Sequence, residues 1–271
     1  MGILSIILFA AVILAIFVIK RIKRNLKRRR LFHTPLPGKW LEIVKRNVAL
    51  YNYIPETLKN ELAGHMQIIL AEKNFEGCGG LEMTDEIKVT VAAQAAILLL
   101  NRKTKYFPVV DSILVYPHTY VANRPSELGY NVTKETALLG ESSTSGTVVL
   151  AWDHVKQRTI DLSSGHNVVL HEFAHQLDQE DGRGDGVPVL DKWSSYATWG
   201  RILGKEYDLL CDEVKHHKKD VMDAYGATNP AEFFAVATET FFDKAKAMKS
   251  KHPALYEELK EYYKLDPVKW F

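Results

Sequence analysis

Only two cysteines, Cys78 and Cys211, occur in 271 residues, and that scarcity excludes a disulfide framework. Both are expected as reduced thiols, which fits a domain held in a reducing compartment. Charge is also missing from one end, since residues 1–19 contain no Asp, Glu, Lys or Arg. A cleaved export signal opens on a basic region and closes on a small-residue cleavage site. An uncharged start that runs directly into Lys20 and Arg21 argues against one. Internal repeats are absent, and sequence bias is confined to a single basic run. The alternation of Asp181, Gly182, Arg183, Gly184, Asp185 and Gly186 lacks the EF-hand spacing, which removes calcium from consideration.

What the amino-terminal region does contain is Gly2 to Ile19, almost unbroken in hydrophobicity and near the lower length limit for a membrane-spanning helix. Eight Lys and Arg follow between Lys20 and Arg30, and basic residues beside a span stay on the cytoplasmic side. The expectation is a transmembrane anchor over 1–19, a basic juxtamembrane linker over 20–34 and one domain over 35–271. That makes a single-pass protein of the cell inner membrane with its body in the cytoplasm. Without the basic run, 27 Lys and Arg face 33 Asp and Glu, about −6 in the remainder. A body of that sign is a poor binder of nucleic acid, and the basic run reads as a topology determinant that also touches anionic headgroups. Asn131, Val132 and Thr133 match a glycosylation acceptor that would be silent on this side of a membrane.

The remaining 240 or so residues suffice for one domain with a large core. Leu62, Met66, Ile69 and Leu70 form one helical stripe, and Ile87, Val91, Ala95 and Leu98 another. Val109 to Tyr116 and Thr147 to Trp152 read as extended segments, and Val168 to Tyr263 as helix-rich. The fold class expected is α+β, with helices before and after a small sheet. If the 147–152 strand lies at the sheet edge, it can pair with an extended peptide.

The stretch HEFAH at 171–175 carries the chemistry. On a helix, His171 and His175 lie one turn apart on the same face, so both imidazoles can point at one metal ion. Glu172 projects about 100° round the axis and can reach a water on that metal without ligating it. Val168, Val169, Leu170, Phe173, Ala174 and Leu177 give the helix an apolar setting. A buried helix with incidental histidines would leave two imidazoles and a carboxylate unpaired at considerable cost. His65, His118, His154, His216 and His217 lack ligand spacing.

Catalytic zinc commonly takes three protein ligands, so a further acid or histidine is expected downstream. Glu232 follows Asn229 and Pro230 in a pattern that also suits a plain helix start. Glu239 lies seven residues on, on much the same helical face, and spacing leaves both open as third ligand or as a supporting acid. Asp178, three residues past His175, is a candidate partner for a ligating imidazole. The glycine-rich run at 182–186 reads as a loop able to cover the site.

Five stretches resemble the zinc-dependent peptidases named after the Mlc titration factor: LLGES at 138–142, GTVVLAWD at 146–153, NVVLHEFAHQLD at 167–178, Asp181 with Gly182, and YGATNPAEFFAV at 225–236. The likeness extends over most of the chain from about Trp40. It implies a zincin-like metallopeptidase domain of gluzincin type, with one zinc held by His171, His175 and Glu232. It also implies Glu172 as general base and Tyr225 near the metal, where its phenol would face the developing oxyanion. The activity implied is aminopeptidase-like hydrolysis of peptides. The alternative implied by the family name is a regulatory protein that sequesters a transcriptional repressor, with peptidase action secondary.

Overall fold

The structure is a computed structural model that describes residues 2–118, 120–121, 137–138, 140–143, 146–160 and 166–271. The glycosylation-like triplet at 131–133 falls outside these residues. The chain opens with α1 (Ile3–Phe32), one unbroken helix through both the expected anchor and the expected linker. A run of apolar and basic residues without Gly or Pro leaves nothing to interrupt it. Its basic half docks on α3 (Glu56–Glu72), which follows the short α2 (Gly38–Asn47). Arg28 donates twice to Glu72, at 2.7 and 2.6 Å, and stacks over the Tyr106 ring at 4.6 Å. Gly64 permits the approach, because a Cβ there would sit 2.6 Å from the Phe32 ring.

The single-pass inner-membrane assignment is corrected by this helix. Among the described residues, no helix is long and apolar enough to cross a membrane. From Ile3, where α1 begins, to Ile19, the last residue before the first charge, the helix rises only about 25 Å against a hydrocarbon core of about 30 Å. Extending that segment brings in Lys20, Arg21, Lys23 and Arg24.

The two hydrophobic stripes become α3 and α4 (Asp85–Ile97) as expected, with Thr84 capping the second by accepting from the Ile87 N–H. Every residue of α4 from Val89 to Ile97 is buried, so this helix is the spine of the core rather than a surface element. Between α3 and α4 lies β1 (Asn74–Gly77), too short and polar to announce itself in the sequence. It pairs in parallel with β2 (Ser112–Tyr116). Two-residue strands β3 (Tyr120–Val121) and β4 (Ala137–Leu138) form a separate antiparallel pair. Next come β5 (Gly140–Ser143) and β6 (Thr147–Ala151), and the main sheet runs β1-β2-β6-β5 with only β5 antiparallel. Ile113, Val115, Val148 and Leu150 point into the core from alternate positions. The expected 147–152 strand ends at Ala151, with Trp152 opening the next helix, and it is an interior strand; β5 takes the edge position entertained for it.

Helix α5 (Trp152–Ile160) leads toward α6 (Val168–Asp178), which carries HEFAH and packs against α4, β5 and β6. The carboxyl-terminal half comprises α7 (Ser195–Lys215), α8 (Pro230–Asp243), α9 (Ala245–Lys251) and α10 (Pro253–Tyr263). This is the helix-rich α+β architecture expected. Phe233, Phe234, Phe241 and Phe242 bury α8 on all sides, each contributing roughly 1.5–3 kcal/mol.

Where α7, α9 and α10 meet, His252 is buried between two acids. Its Nδ1 lies 2.7 Å from Glu206 and its Nε2 3.0 Å from Asp220, which also pairs with Lys251. Burial opposes the charge on His252, but the bonds to Asp220 and Glu206 outweigh it and raise its pKa. Burial likewise opposes charge on Asp220, and the bonds from its neighbours hold it well below the usual range. The raised imidazole stabilises the fold fully below about pH 6.5 and loses that effect as pH rises through its folded pKa. The depressed carboxylate stabilises above about pH 4 and loses its effect in acid. His252→Gln should therefore cost about 3 kcal/mol near pH 5.5, with a smaller deficit in alkali or strong acid. Urea unfolding across pH tests this, and a pH-independent deficit would show the ion pair to be irrelevant.

Candidate metal centre

The site is built from the start of α6 and the start of α8. Asn167 caps α6 by accepting from the Leu170 N–H at 3.1 Å. One turn into that helix, His171 and His175 project side by side, their rings edge-to-face with centroids 4.9 Å apart. Asn229 caps α8 by accepting from the Glu232 N–H at 2.9 Å, and Pro230 occupies the first helical position. In a capping box the N3 carboxylate would reach back to the cap. Here the Glu232 side chain reaches the histidines instead.

Three ligand-type atoms converge. His171 Nε2 lies 2.9 Å from Glu232 Oε2, His175 Nε2 lies 3.2 Å from the same oxygen, and the two nitrogens are 3.2 Å apart. For tetrahedral zinc at about 2.0–2.1 Å, ligand atoms sit roughly 3.3 Å from one another, so the triangle is close to the required size. Two neutral-capable imidazoles and a carboxylate are also a donor set that zinc favours. The arrangement fits a metal ion, and among the described residues it is the one cluster of His, Cys, Asp and Glu that does. Burial opposes charge on Glu232, but bonds from His171 and His175 win and hold its pKa down to about 2. A helix amino terminus favours the carboxylate too.

Glu239 sits elsewhere than the third ligand position. Two turns along α8 and only 3 % exposed, it accepts from His171 Nδ1 at 2.7 Å and from the Asn167 backbone N–H. It thereby fixes the imidazole with Nε2 turned toward Glu232 and His175. Asp178 does not share this task, because its Oδ2 accepts from the Gly186 N–H at 2.9 Å. The glycine-rich run is tied down at that point. The Gly186 carbonyl accepts from Trp199 Nε1 at 3.1 Å, and a Cβ on Gly186, whose φ is +82°, would collide with the Pro230 carbonyl. At Gly186 the loop buttresses the start of α8.

Glu172 is 4 % exposed, and its Oε2 is buried with no hydrogen-bond partner among the described residues. Burial pushes its pKa up to about 7, partly offset by the charges of His171 and His175. Tyr225 is 52 % exposed, with its ring centroid 6.0 Å from that of His171. Burial, then the Glu232 and Glu172 charges, raise its pKa and keep the phenol protonated. Sequence reading passed over how Tyr225 is placed. Asp223 accepts from the Tyr225 N–H at 2.8 Å and faces His166 Nε2 at 3.2 Å, tying the tyrosine turn to the approach to α6. An Asp two residues before an exposed aromatic was the available signal.

The model of a family described as glucose-regulated metallo-peptidase M90 matches residues 22–264. An uncharacterized protein of Synechocystis sp. is 39 % identical over 245 residues, covering 89 % of each chain. A Yersinia pestis protein named Mlc titration factor A is 30 % identical over 236 residues, covering 85 % of this chain and 86 % of the relative. A Yersinia pseudotuberculosis protein of the same name matches to the same extent.

Elemental analysis should find one metal ion per chain, lost in Glu232→Ala and in the His171→Ala, His175→Ala double variant. Glu239→Gln should keep the ligands yet weaken metal binding by about 10- to 100-fold. Full affinity in Glu239→Gln would show that the carboxylate does not set the imidazole.

Proposed function

The chain belongs to the glucose-regulated metallo-peptidase M90 family, and from that premise we propose that it is a zinc-dependent peptidase whose metal ligands are His171, His175 and Glu232. The observation that carries the reading is a buried Glu172 carboxylate, its Oε2 without a hydrogen-bond partner among the described residues, one residue from a converged ligand triad. Zinc, when bound, supplies Lewis-acid polarisation and brings the pKa of water toward neutrality.

The chain's own groups do the rest. Glu172 takes a proton from the attacking water at its carboxylate and hands it to the leaving amine nitrogen. Tyr225 donates its phenolic hydrogen to the oxygen that becomes negative as the carbonyl is attacked. Glu239 holds the His171 Nδ1–H, so the opposite nitrogen is the one left for metal. The gluzincin-type zincin domain over 35–271 is the fold in which we place these roles. Among the described residues β5 pairs only with β6, and as an edge strand packed near α6 it offers backbone N–H and C=O groups to an extended peptide. The aminopeptidase-like preference rests on the family resemblance.

A second reading is favoured by the name of the Yersinia relatives, which describes a factor that titrates Mlc. In it, this chain binds a transcriptional repressor and its hydrolysis is secondary.

Glu172→Gln should retain metal and thermal stability while hydrolysis of unblocked peptides falls by about two or more orders of magnitude. Undiminished hydrolysis by that variant would falsify the general-base role. A cellular phenotype that survives the substitution would favour repressor binding over peptidase action. Tyr225→Phe should lower kcat by about 10²-fold with a smaller change in KM, as expected for a donor used mainly in the transition state.

A further inference from the structure

Away from the metal centre, the docked half of α1 and the body enclose an open cleft of about 590 Å³. Lys23, Arg24 and Lys27 line it from α1, where Lys27 lies between the other two, four residues after Lys23 and three after Arg24. Lys105 faces them from the connection into β2, and Lys73 from the end of α3. Six cations line the cleft, these five and Arg28, against two acids, Glu72 and Asp111.

These charges are not equally spent. Arg28 is neutralised by its paired bonds to Glu72. Lys73 donates at 2.7 Å to the carbonyls of both Phe107 and Val110, which leaves one of its three N–H groups uncommitted by these bonds. Among the described residues, no carboxylate lies within ion-pair distance of Lys23, Arg24, Lys27 or Lys105, and Lys27 reaches only the Ala71 carbonyl at 3.4 Å. A concave, single-sign cluster against a low-dielectric wall concentrates anions far better than the same charges on a flat surface. The body beyond it is acidic, which disfavours a long polyanion and favours a compact one.

We propose that this cleft is a binding site for a phosphate-bearing anion, gripped by Lys23, Arg24, Lys27 and Lys105 with Lys73 beside them. The shared chemistry is a phosphate group carrying about two negative charges, whether on a free phosphorylated compound or on a phosphomonoester lipid headgroup. Burial pulls the Lys73 ammonium down to about 8, so a bound anion would also relieve a desolvated charge.

The test titrates the full chain with pyrophosphate and, separately, with phosphatidylcholine vesicles with and without phosphatidic acid. The cleft variant is Arg24→Glu with Lys27→Glu, both exposed and clear of the core. The control is Arg29→Glu with Arg30→Glu, an equal change in net charge outside the cleft. Saturable one-to-one pyrophosphate binding, weakened about tenfold or more in the cleft variant only, supports the site with a free phosphate as its source. Absence of pyrophosphate binding, together with capture that depends on phosphatidic acid and is lost in the cleft variant only, supports it with a headgroup as source. No binding of either probe, equal weakening in both variants, or preference for a short RNA oligonucleotide over pyrophosphate would overturn it.

Discussion

The bond from His171 Nδ1 to Glu239 ties the site to the fold. It joins the first turn of α6 to the middle of α8, and the same carboxylate accepts from the backbone of Asn167, the residue that caps α6. Helix start, imidazole orientation and interhelical register are therefore set by one buried acid. A buried carboxylate is costly unless its lone pairs are met, and here both oxygens have partners on another helix. The aromatic packing of α8 holds that acid in place, with Phe234 against Trp199 and Phe241 against Tyr263. Core packing and ligand placement are two aspects of the same helix pair.

Much of this was legible in the residues. HEFAH gave the two imidazoles because one helical turn is a local rule, and the cap at Asn229 gave the start of α8 for the same reason. The choice between Glu232 and Glu239 was not legible from spacing, since residues two turns apart share a face. Only the depth at which α8 crosses α6 shows that one reaches the outer nitrogen and the other the inner one. Asp178 failed as an imidazole partner because the chain after it turns back and presents the Gly186 N–H first. Strand order also escaped local reading. The 147–151 run is apolar enough for either an edge or an interior place, and β5, short and polar, left no pattern to claim the edge.

The amino-terminal helix shows a different failure. Hydropathy alone split residues 1–34 into an anchor and a linker, yet nothing in the backbone divides them, and the basic half is a packed element of the body. Basic side chains invited a reading as topology signals, while Arg28 in fact closes a salt bridge and stacks on Tyr106. The family match begins at residue 22, within that docked half. Charge that looked like an address is partly structural, and the rest faces a cleft.

The two carboxylates of α8 grip one imidazole at its two nitrogens, and they are separated by seven residues, about 10 Å along the helix axis. The helix thus acts as a ruler, which makes the site sensitive to length rather than only to identity. One residue inserted between Phe233 and Thr238 would leave Glu232 in place beside its cap and swing Glu239 about 100° away from His171. Residues added in the connection around Lys218 and Lys219 would leave that spacing untouched, because the count begins at Asn229. Variation in loop length can accumulate before α8, whereas in the two turns from Glu232 to Glu239 the chain has no freedom to gain or lose a residue.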